Sequence, residues 1–339
     1  MRQEGLSYSE TFRRFEINSH RRVQDWERIY LTEGPEGFTI ERRGRGSTGR
    51  PKKLSKEVEE DLLAEYAAVA QRAAPDRVVF RTLDVGADKM LHAQAVLKEP
   101  NPALGLRGIR FCLRHQGIFR TQLRALMRAG AMGNVAIMLP MISCLDEVQQ
   151  VRRIMQELHQ ELAAQNLPHA PLLPLGVMVE TPAAALICDA LARECDFFSI
   201  GTNDLIHYIM GIDRNNRHVA YLNEPLHPAI VRSLKHIIDA AHREGIGVSV
   251  CGELASDPFG LALLLGMGVD TVSAAPRFVP GMKHLIRQFN AQTCMDLANS
   301  VLLSTDVAAS KRMVREALQQ SLGQELAFHT TSLFTYSHP

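Results

Sequence analysis

Two apolar segments of this sequence each end in an acidic residue. Glu180 directly follows the segment 175–179, and Asp204 follows the segment 197–200 through Gly-Thr-Asn. In parallel α/β enzymes the chemistry lies at the carboxyl ends of the strands. Two carboxylates on neighbouring strand ends suit a hard cation such as Mg²⁺, which takes few protein oxygens and leaves places for substrate. The alternative is that each carboxylate only caps the helix that follows it.

Arginines accompany these acids. Arg81 interrupts an apolar segment, Arg107 lies in the next such segment, and Arg214 follows the Asn-Asp turn. Guanidinium groups bind phosphate and carboxylate through paired hydrogen bonds, so the set predicts an anion site. Since burying an unpaired charge costs several kcal/mol, the alternative for Arg81 is an ion pair with Asp84 or Asp88.

A cysteine, Cys251, ends another apolar segment on the same predicted edge of the sheet. A thiol there could give or take a proton, whereas its residue type alone favours a small buried hydrophobe. Arg110 could belong to the same anion site, and the alternative for it is again an ion pair with a neighbouring carboxylate. His207 and His227 are predicted to be caps or core polar groups.

Composition excludes several classes of protein. The chain has 339 residues, 46% of them hydrophobic, and a formal net charge of +1. That balance gives no general argument for binding nucleic acid or an anionic membrane. No apolar run approaches the ~20 residues of a bilayer span, and the first residues do not resemble a secretory signal. The six scattered cysteines contain no CxxC pair. A cytoplasmic protein with reduced thiols is expected.

Strand-like and helical segments alternate along the chain. Continuous apolarity predicts strands covered on both faces, and hence a parallel sheet. The predicted strands are 77–84, 105–111, 134–140, 175–180, 196–201, 245–253 and 270–274. The predicted helices are 57–74, 118–128, 145–164, 182–193, 228–244 and 258–265. The pattern predicts an α/β fold of the (β/α)₈ barrel type, with an open doubly wound sheet as the alternative.

The domain prediction has three parts. Residues 1–53 are polar and basic, and 37–43 are a degenerate candidate for the first barrel strand. Such a segment is typically a solvated arm, with an anion-binding arm as the alternative. Residues 54–292 are predicted to form the barrel, and 293–339 a C-terminal helix, at 306–322, and a tail. Capping signals precede two helices: Ser143 with Asp146, and Thr181 with Pro182.

Several motifs occur in the order of a known family. The chain resembles the C-terminal phosphoenolpyruvate-binding domain of phosphoenolpyruvate–protein phosphotransferase, which is Enzyme I of the sugar phosphotransferase system, or of its nitrogen-related paralogue. The resemblance covers roughly residues 54–290. The motifs are FRTLDVGADK at 80–89, NPALGLRGIR at 101–110, LPM at 139–141, GVMVETP at 176–182, FFSIGTND at 197–204, DR at 213–214 and CGEL at 251–254.

The resemblance implies a TIM barrel, a homodimer and a set of site residues. Glu180 and Asp204 would bind Mg²⁺, and Cys251 would protonate the enolate carbon as pyruvate forms. The implied ligands of phosphoenolpyruvate are Arg81, Arg107, Asn203 and Arg214. Phosphoryl transfer requires positioned cations more than covalent chemistry, which agrees with this set.

The sequence also departs from the family. None of its 13 histidines has the context of the family's phosphoryl-accepting histidine, and the carrier-binding helical domain is missing. Arg50 is the candidate to replace an arginine near the altered first strand. One hypothesis is that residues 1–53 are a truncated or frame-shifted remnant of a longer gene, and the alternative is that they are native.

The expected function is Mg²⁺-dependent transfer of phosphate from phosphoenolpyruvate to a histidine on an absent domain, and so to the histidine-containing phosphocarrier system of sugar transport. One alternative is a non-catalytic phosphoenolpyruvate-sensing or dimerisation module. The other is a Mg²⁺-dependent lyase or aldolase on a related barrel.

Overall fold

The computed structural model describes residues 50–84, 101–213 and 216–323, with side chains from residue 56 onward. Contacts divide the chain into two units. Of the described residues, the first unit comprises 50–77, 83–84, 101–134 and 154–171. The second comprises 78–82, 135–153, 172–213 and 216–323. The predicted strand at 37–43 lies outside the described residues.

The described part of the first unit is helical. It contains α1 (Arg50–Ala73), α2 (Ile109–Arg114), α3 (Gln116–Ala129) and the C-terminal part of α4 (Leu145–Ala164). Glu59 of α1 accepts hydrogen bonds from Arg124 and Arg128 of α3, each at 2.9 Å. The Glu59 side chain is only 9% exposed, so the two arginines neutralise a largely buried charge. These ion pairs link α1 to α3.

The predicted strand at 105–111 is wrong. Residues 102–106 form turns, and α2 begins after Gly108, whose φ is 56°. α2 buries Ile109, Phe111 and Cys112. A short apolar run fits a strand or a buried helix equally well, and here the left-handed glycine starts a helix.

The second unit contains a six-stranded sheet. Its strands are β1 (Val78–Arg81), β2 (Val135–Leu139), β3 (Leu175–Val179), β4 (Phe197–Gly201), β5 (Gly247–Cys251) and β6 (Thr271–Val272). Each strand pairs in parallel with the next one along the chain. This order is that of a (β/α)₈ barrel and has no reversal of the kind that a doubly wound sheet requires. The predicted α/β class is confirmed.

Helices follow the strands of the second unit. They are α5 (Pro182–Leu186), α6 (Cys188–Ala192), α7 (Thr202–Ile209), α8 (Pro228–Arg243), α9 (Glu253–Ser256), α10 (Pro258–Met267), α11 (Val279–Gln288), α12 (Ala291–Leu303) and α13 (Val307–Leu322). The single helix predicted at 182–193 is interrupted at Ile187. Nothing in the sequence pattern had indicated α11 or α12. Among the described residues, no helix combines the length and apolar character of a bilayer span.

Helix caps follow the sequence signals in one case and shift in the other. The Thr181 hydroxyl accepts the Ala184 N–H at 3.1 Å with Pro182 in the first turn, which confirms that prediction. The Ser143 N–H donates to Glu147 at 2.6 Å, so the predicted partner, Asp146, is off by one residue.

Two C-terminal helices of the second unit approach each other closely. A Cβ added at Gly266 of α10 would lie 1.9 Å from the carbonyl oxygen of Cys294 in α12. Only glycine permits this approach of two helix backbones. The side of α12 that carries Cys294, Leu297 and Ala298 is buried.

The two faces of the sheet differ in composition. One face, here called the aliphatic face, carries side chains that are 0% exposed: Ile137, Val177, Val179, Ile200 and Val250. The other, called the site face, carries Gly176, Met178, Ser199, Ser249 and Cys251, which the strand registers align. Because successive strand residues point to opposite faces, one short segment serves both.

Candidate active site at the carboxyl ends of the strands

Glu180, directly after β3, is a buried carboxylate with 1% exposure. Its Oε1 accepts the backbone N–H of Met141 at 2.7 Å. Met141 has a φ of 61°, an uncommon conformation for a non-glycine residue, and is itself buried. A Cβ added at Gly201 would lie 2.7 Å from Glu180 Oε2, so the glycine leaves room for the carboxylate. The ends of β2 and β4 therefore position Glu180.

Asn203 begins the site's second part, in the first turn of α7. Its Oδ1 accepts the Glu253 N–H at 3.3 Å. The Thr202 hydroxyl beside it donates to the carbonyl of Cys251 at 2.8 Å. Gly252 has a φ of 102°, and a Cβ there would lie 2.3 Å from Thr202 Oγ1. These contacts join the turn after β4 to the turn after β5.

Cys251 is the last residue of β5 and lies opposite Gly201 in the register. Ser199 Oγ donates toward its Sγ at 3.7 Å, and the thiol donates to the carbonyl of Ile200 at 3.5 Å. The thiol is part-buried on the site face, as its place in the strand predicted.

Charged residues predicted for the site act on this thiol. Burial is the main cause that raises the pKa of Cys251, and the carboxylates of Glu180 and Asp204 raise it further. The hydrogen bond from Ser199 and the charge of Arg81 act in the opposite direction. The balance keeps the thiol protonated at neutral pH. Arg81, Glu180 and Asp204 therefore each lie within electrostatic reach of the Cys251 thiol.

Arg81 ends β1, and its side chain is exposed. Its Nη1 lies 3.9 Å from Sδ of Met178 on the site face of β3. Because the side chain is exposed, the cost of burying an unpaired charge does not apply to it. Arg214 and the side chain of Arg50 lie outside the described residues, and their roles stay predictions.

Arg107 belongs to the first unit, where it forms a two-point ion pair with Asp84. Arg107 Nε donates to Oδ1 at 3.3 Å and Nη2 to Oδ2 at 3.0 Å. Arg110 Nη1 donates to the carbonyl groups of Leu104 and Gly105 at 3.1 and 3.4 Å, so the expected carboxylate partner is replaced by a turn.

The two histidines have local contacts. His227 Nδ1 accepts the Ala229 N–H at 3.2 Å as the N-cap of α8, which confirms the prediction of a cap. The rings of His207 and Tyr208 meet edge to face, with their centroids 4.8 Å apart.

A cleft of about 350 Å³ opens beside Asn203 and Gly252 and extends to Phe278. It gives a small molecule access to the turns after β4 and β5.

The two predicted metal ligands, Glu180 and Asp204, are carboxylates, which is the ligand type that magnesium prefers. Over residues 50–84, 101–213 and 216–323, no three His, Cys, Asp or Glu side chains form a metal-ligand group. Mg²⁺ needs fewer protein ligands, because substrate and water oxygens complete its octahedron. Glu180 and Asp204 offer carboxylate oxygens of the required type.

Sequence reasoning missed three residues that position the site: Met141, Ser199 and Thr202. A signal existed for Ser199, because it is the polar residue within the apolar segment 197–200. The Met141 N–H could not be found this way, because it depends on a backbone conformation.

The strand order and the acidic strand ends are typical of parallel α/β proteins of the barrel type, a fold class to which many enzymes belong. A family model described as "PEP-utilising enzyme, PEP-binding domain", where PEP is phosphoenolpyruvate, matches residues 31–291. The chain belongs to this family, which confirms the resemblance seen in the sequence.

Curated relatives carry the name phosphoenolpyruvate-protein phosphotransferase. The protein of Bacillus sp. (strain S) is 43% identical over 272 residues, which are 80% of this chain and 46% of that protein. The Geobacillus stearothermophilus protein is 46% identical over 256 residues, covering 75% and 44%. The Bacillus subtilis (strain 168) protein is 40% identical over 261 residues, covering 77% and 46%. This chain spans less than half the length of these relatives.

Proposed function

We propose that this protein binds phosphoenolpyruvate and supports Mg²⁺-dependent transfer of its phosphoryl group to a histidine on a separate domain, with pyruvate as the other product. One observation carries the proposal: Gly201 lies beside the Glu180 carboxylate and opposite Cys251 in the strand register, so the carboxylate and the thiol meet at the carboxyl ends of adjacent strands. The family match and the names of the relatives support the same substrate.

Glu180 and Asp204 would hold the magnesium ion. When bound, Mg²⁺ neutralises charge on the phosphoryl oxygens and helps orient them. The Met141 N–H holds Glu180 in place, and Glu180 Oε2 occupies space that a side chain at position 201 would need. A carboxylate fixed before the ligand arrives requires little reorganisation on binding.

Four residues are proposed to bind the substrate's anionic groups: Arg81, Arg107, Asn203 and Arg214. The exposed guanidinium of Arg81 is accessible to a ligand at the carboxyl end of β1. Asn203 reaches the turn after β5 through its carbonyl oxygen, which leaves its NH₂ group available as a donor. Arg107 pairs with Asp84 within the first unit, and its proposed role as a ligand rests on the family resemblance.

Cys251 is proposed to supply the proton that completes pyruvate. As the histidine takes the phosphoryl group, the phosphorus–oxygen bond breaks and its electrons stay on the enolate. The thiol gives its proton to the enolate carbon C3, and the thiolate then recovers a proton from water. A thiol whose pKa is raised by burial is protonated and ready for this role.

The setting follows from the same proposal. The histidine domain would pass phosphate to a histidine-containing phosphocarrier, and the barrel would form a homodimer in the cytoplasm. All six cysteines are free thiols, which supports a reducing compartment.

Calorimetry with phosphoenolpyruvate, with and without Mg²⁺, tests the proposal. We expect binding that requires Mg²⁺ and is lost in Glu180→Gln. Asp146→Asn removes an exposed carboxylate of α4 and is the matched control, which should bind as the parent does. Binding without pyruvate formation, even after a histidine domain is added, would indicate a sensing role. Absence of binding by the parent protein would leave only a scaffold role.

A further inference from the structure

A serine lies beside the Cys251 thiol. Ser199 is on β4, its side chain is 5% exposed, and its Oγ is 3.7 Å from Cys251 Sγ. The register places Ser199 opposite Ser249 and two residues before Gly201, the partner of Cys251. Ser199 therefore shares the site face with the thiol.

The hydrogen bonds around the sulfur have a defined direction. Ser199 donates to Sγ, while the thiol donates to the carbonyl of Ile200 at 3.5 Å. When the thiol loses its proton, the bond to Ile200 disappears and the bond from Ser199 remains. A hydrogen bond to an anion is about twice as strong as one to a neutral acceptor, so this contact strengthens as the proton leaves.

The other groups that face the thiol carry full charges. Glu180 follows β3 and Asp204 lies on α7, and both carboxylates oppose formation of a thiolate. Arg81, on β1, favours it. Ser199 is a neutral donor in this set that approaches the sulfur directly.

We propose that Ser199 is a positioning residue that orients the Cys251 thiol and stabilises the thiolate left after it donates its proton. The catalytic part of this inference rests on the proposed function, whereas the effect on the thiol does not.

The chain offers a matched control on the neighbouring strand. Ser249 has the same side chain, the same face and a paired register position. Its hydroxyl donates to the carbonyl of Phe198 at 3.2 Å. Ser249→Ala thus removes one hydroxyl from the neighbouring strand and keeps the hydrogen bond from Ser199 to the Cys251 thiol.

The first test measures the rate at which iodoacetamide alkylates Cys251 in metal-free protein, followed by peptide mass spectrometry. Loss of a hydrogen bond to the thiolate by Ser199→Ala should slow the reaction about tenfold at a pH below the thiol pKa. The pH profile should move to higher pH accordingly. Ser249→Ala should keep the parent rate, and the exposed Cys144 serves as the reference in each sample.

Ser199→Thr keeps a hydroxyl and should restore most of the alkylation rate. Thermal unfolding of each variant shows whether the fold is retained. Equal rates for Ser199→Ala and Ser249→Ala would overturn the proposal, as would a Thr variant as slow as the Ala variant.

The second test concerns turnover. With a histidine domain added, Ser199→Ala should lower kcat for pyruvate formation about tenfold and leave the affinity for phosphoenolpyruvate, measured by calorimetry, unchanged. If the parent protein binds no phosphoenolpyruvate, the proposed function fails, and the alkylation rates still decide the role of Ser199. A reduced affinity with unchanged kcat would contradict the positioning role.

Discussion

The aliphatic face and the site face are built from the same strands but follow different rules. In β4, Phe198 and Ile200 are fully buried, while Ser199 between them contacts the thiol of Cys251. In β5, Val250 is fully buried and the next residue is that thiol. The aliphatic face requires side chains that fill the interior volume, whereas the site face requires polar atoms that point in particular directions.

Substitutions on the two faces of the sheet should therefore have different effects. The aliphatic face contributes burial, which is non-directional and scales with apolar area. The site face depends on glycines and single hydrogen bonds, so small changes there should alter chemistry before stability.

Cys251→Ala should have the largest effect. Removing the proton donor should lower pyruvate formation by about 10²–10⁴-fold with little change in phosphoenolpyruvate affinity. The measurements are a pyruvate assay with an added histidine domain and calorimetry of binding. Cys144→Ala, at an exposed cysteine, should behave as the parent does. Loss of phosphoenolpyruvate binding together with loss of turnover would indicate that the thiol has a structural role and not a catalytic one.

Ile137→Ala should act on stability. Ile137 is fully buried on the aliphatic face, so its truncation leaves a cavity and should lower the free energy of unfolding by about 2–5 kcal/mol. Urea unfolding measures this change. Met138→Ala, at the next and partly exposed position of β2, should cost less. Equal losses at both positions would remove the distinction between the faces.

Gly201→Ala should affect the site more than the fold. The added methyl would lie 2.7 Å from Glu180 Oε2 and displace that carboxylate. We expect Mg²⁺-dependent binding to weaken about tenfold, with an overpacking cost of ~1–3 kcal/mol in unfolding free energy. Gly247→Ala, on the same face with its nearest contact at 3.9 Å, is the control. Undisturbed binding in Gly201→Ala would show that Glu180 can move freely.

Asp257→Asn should have the smallest effect, in the helix layer. Burial raises the pKa of Asp257 to about 6 from 3.8, although its carboxylate caps α10 by accepting two backbone N–H groups. The folded state therefore binds more protons than the unfolded state between these values, and stability falls as pH rises through that window. Asn keeps the cap without the charge.

The stability advantage of Asp257→Asn over the parent should therefore grow between pH 4 and pH 6, by on the order of 1–3 kcal/mol. Urea unfolding at several pH values measures it. Asp306→Asn, the same change at the exposed N-cap of α13, is the control. A constant difference across this range would contradict the prediction.

The sequence predicted the strands that end in functional groups and missed how those groups are held. Glu180 and Cys251 end apolar runs, and such runs with Thr-Pro or Gly after them are local signals. The contacts of Glu180 with Met141 and Gly201 join separate strands, and no local pattern encodes them.

The wrong strand at 105–111 has a local cause. Its apolar residues at 106, 109 and 111 are too few to separate a period of 2 from one of 3.6. The φ of 56° at Gly108 decided the outcome, and a glycine in the sequence does not reveal which φ it adopts.

The glycine contact between α10 and α12 limits how this domain can be exchanged among its relatives. The family match stops at residue 291, the first residue of α12. A chimaera joined there would pair a foreign α10 with the α12 of this chain, and any residue other than glycine at the position of Gly266 would collide with the α12 backbone. A junction at Ser304, after α12 ends, would transplant both helices together. A junction that preserves the packing of α10 against α12 thus lies C-terminal to residue 291, where the family match ends.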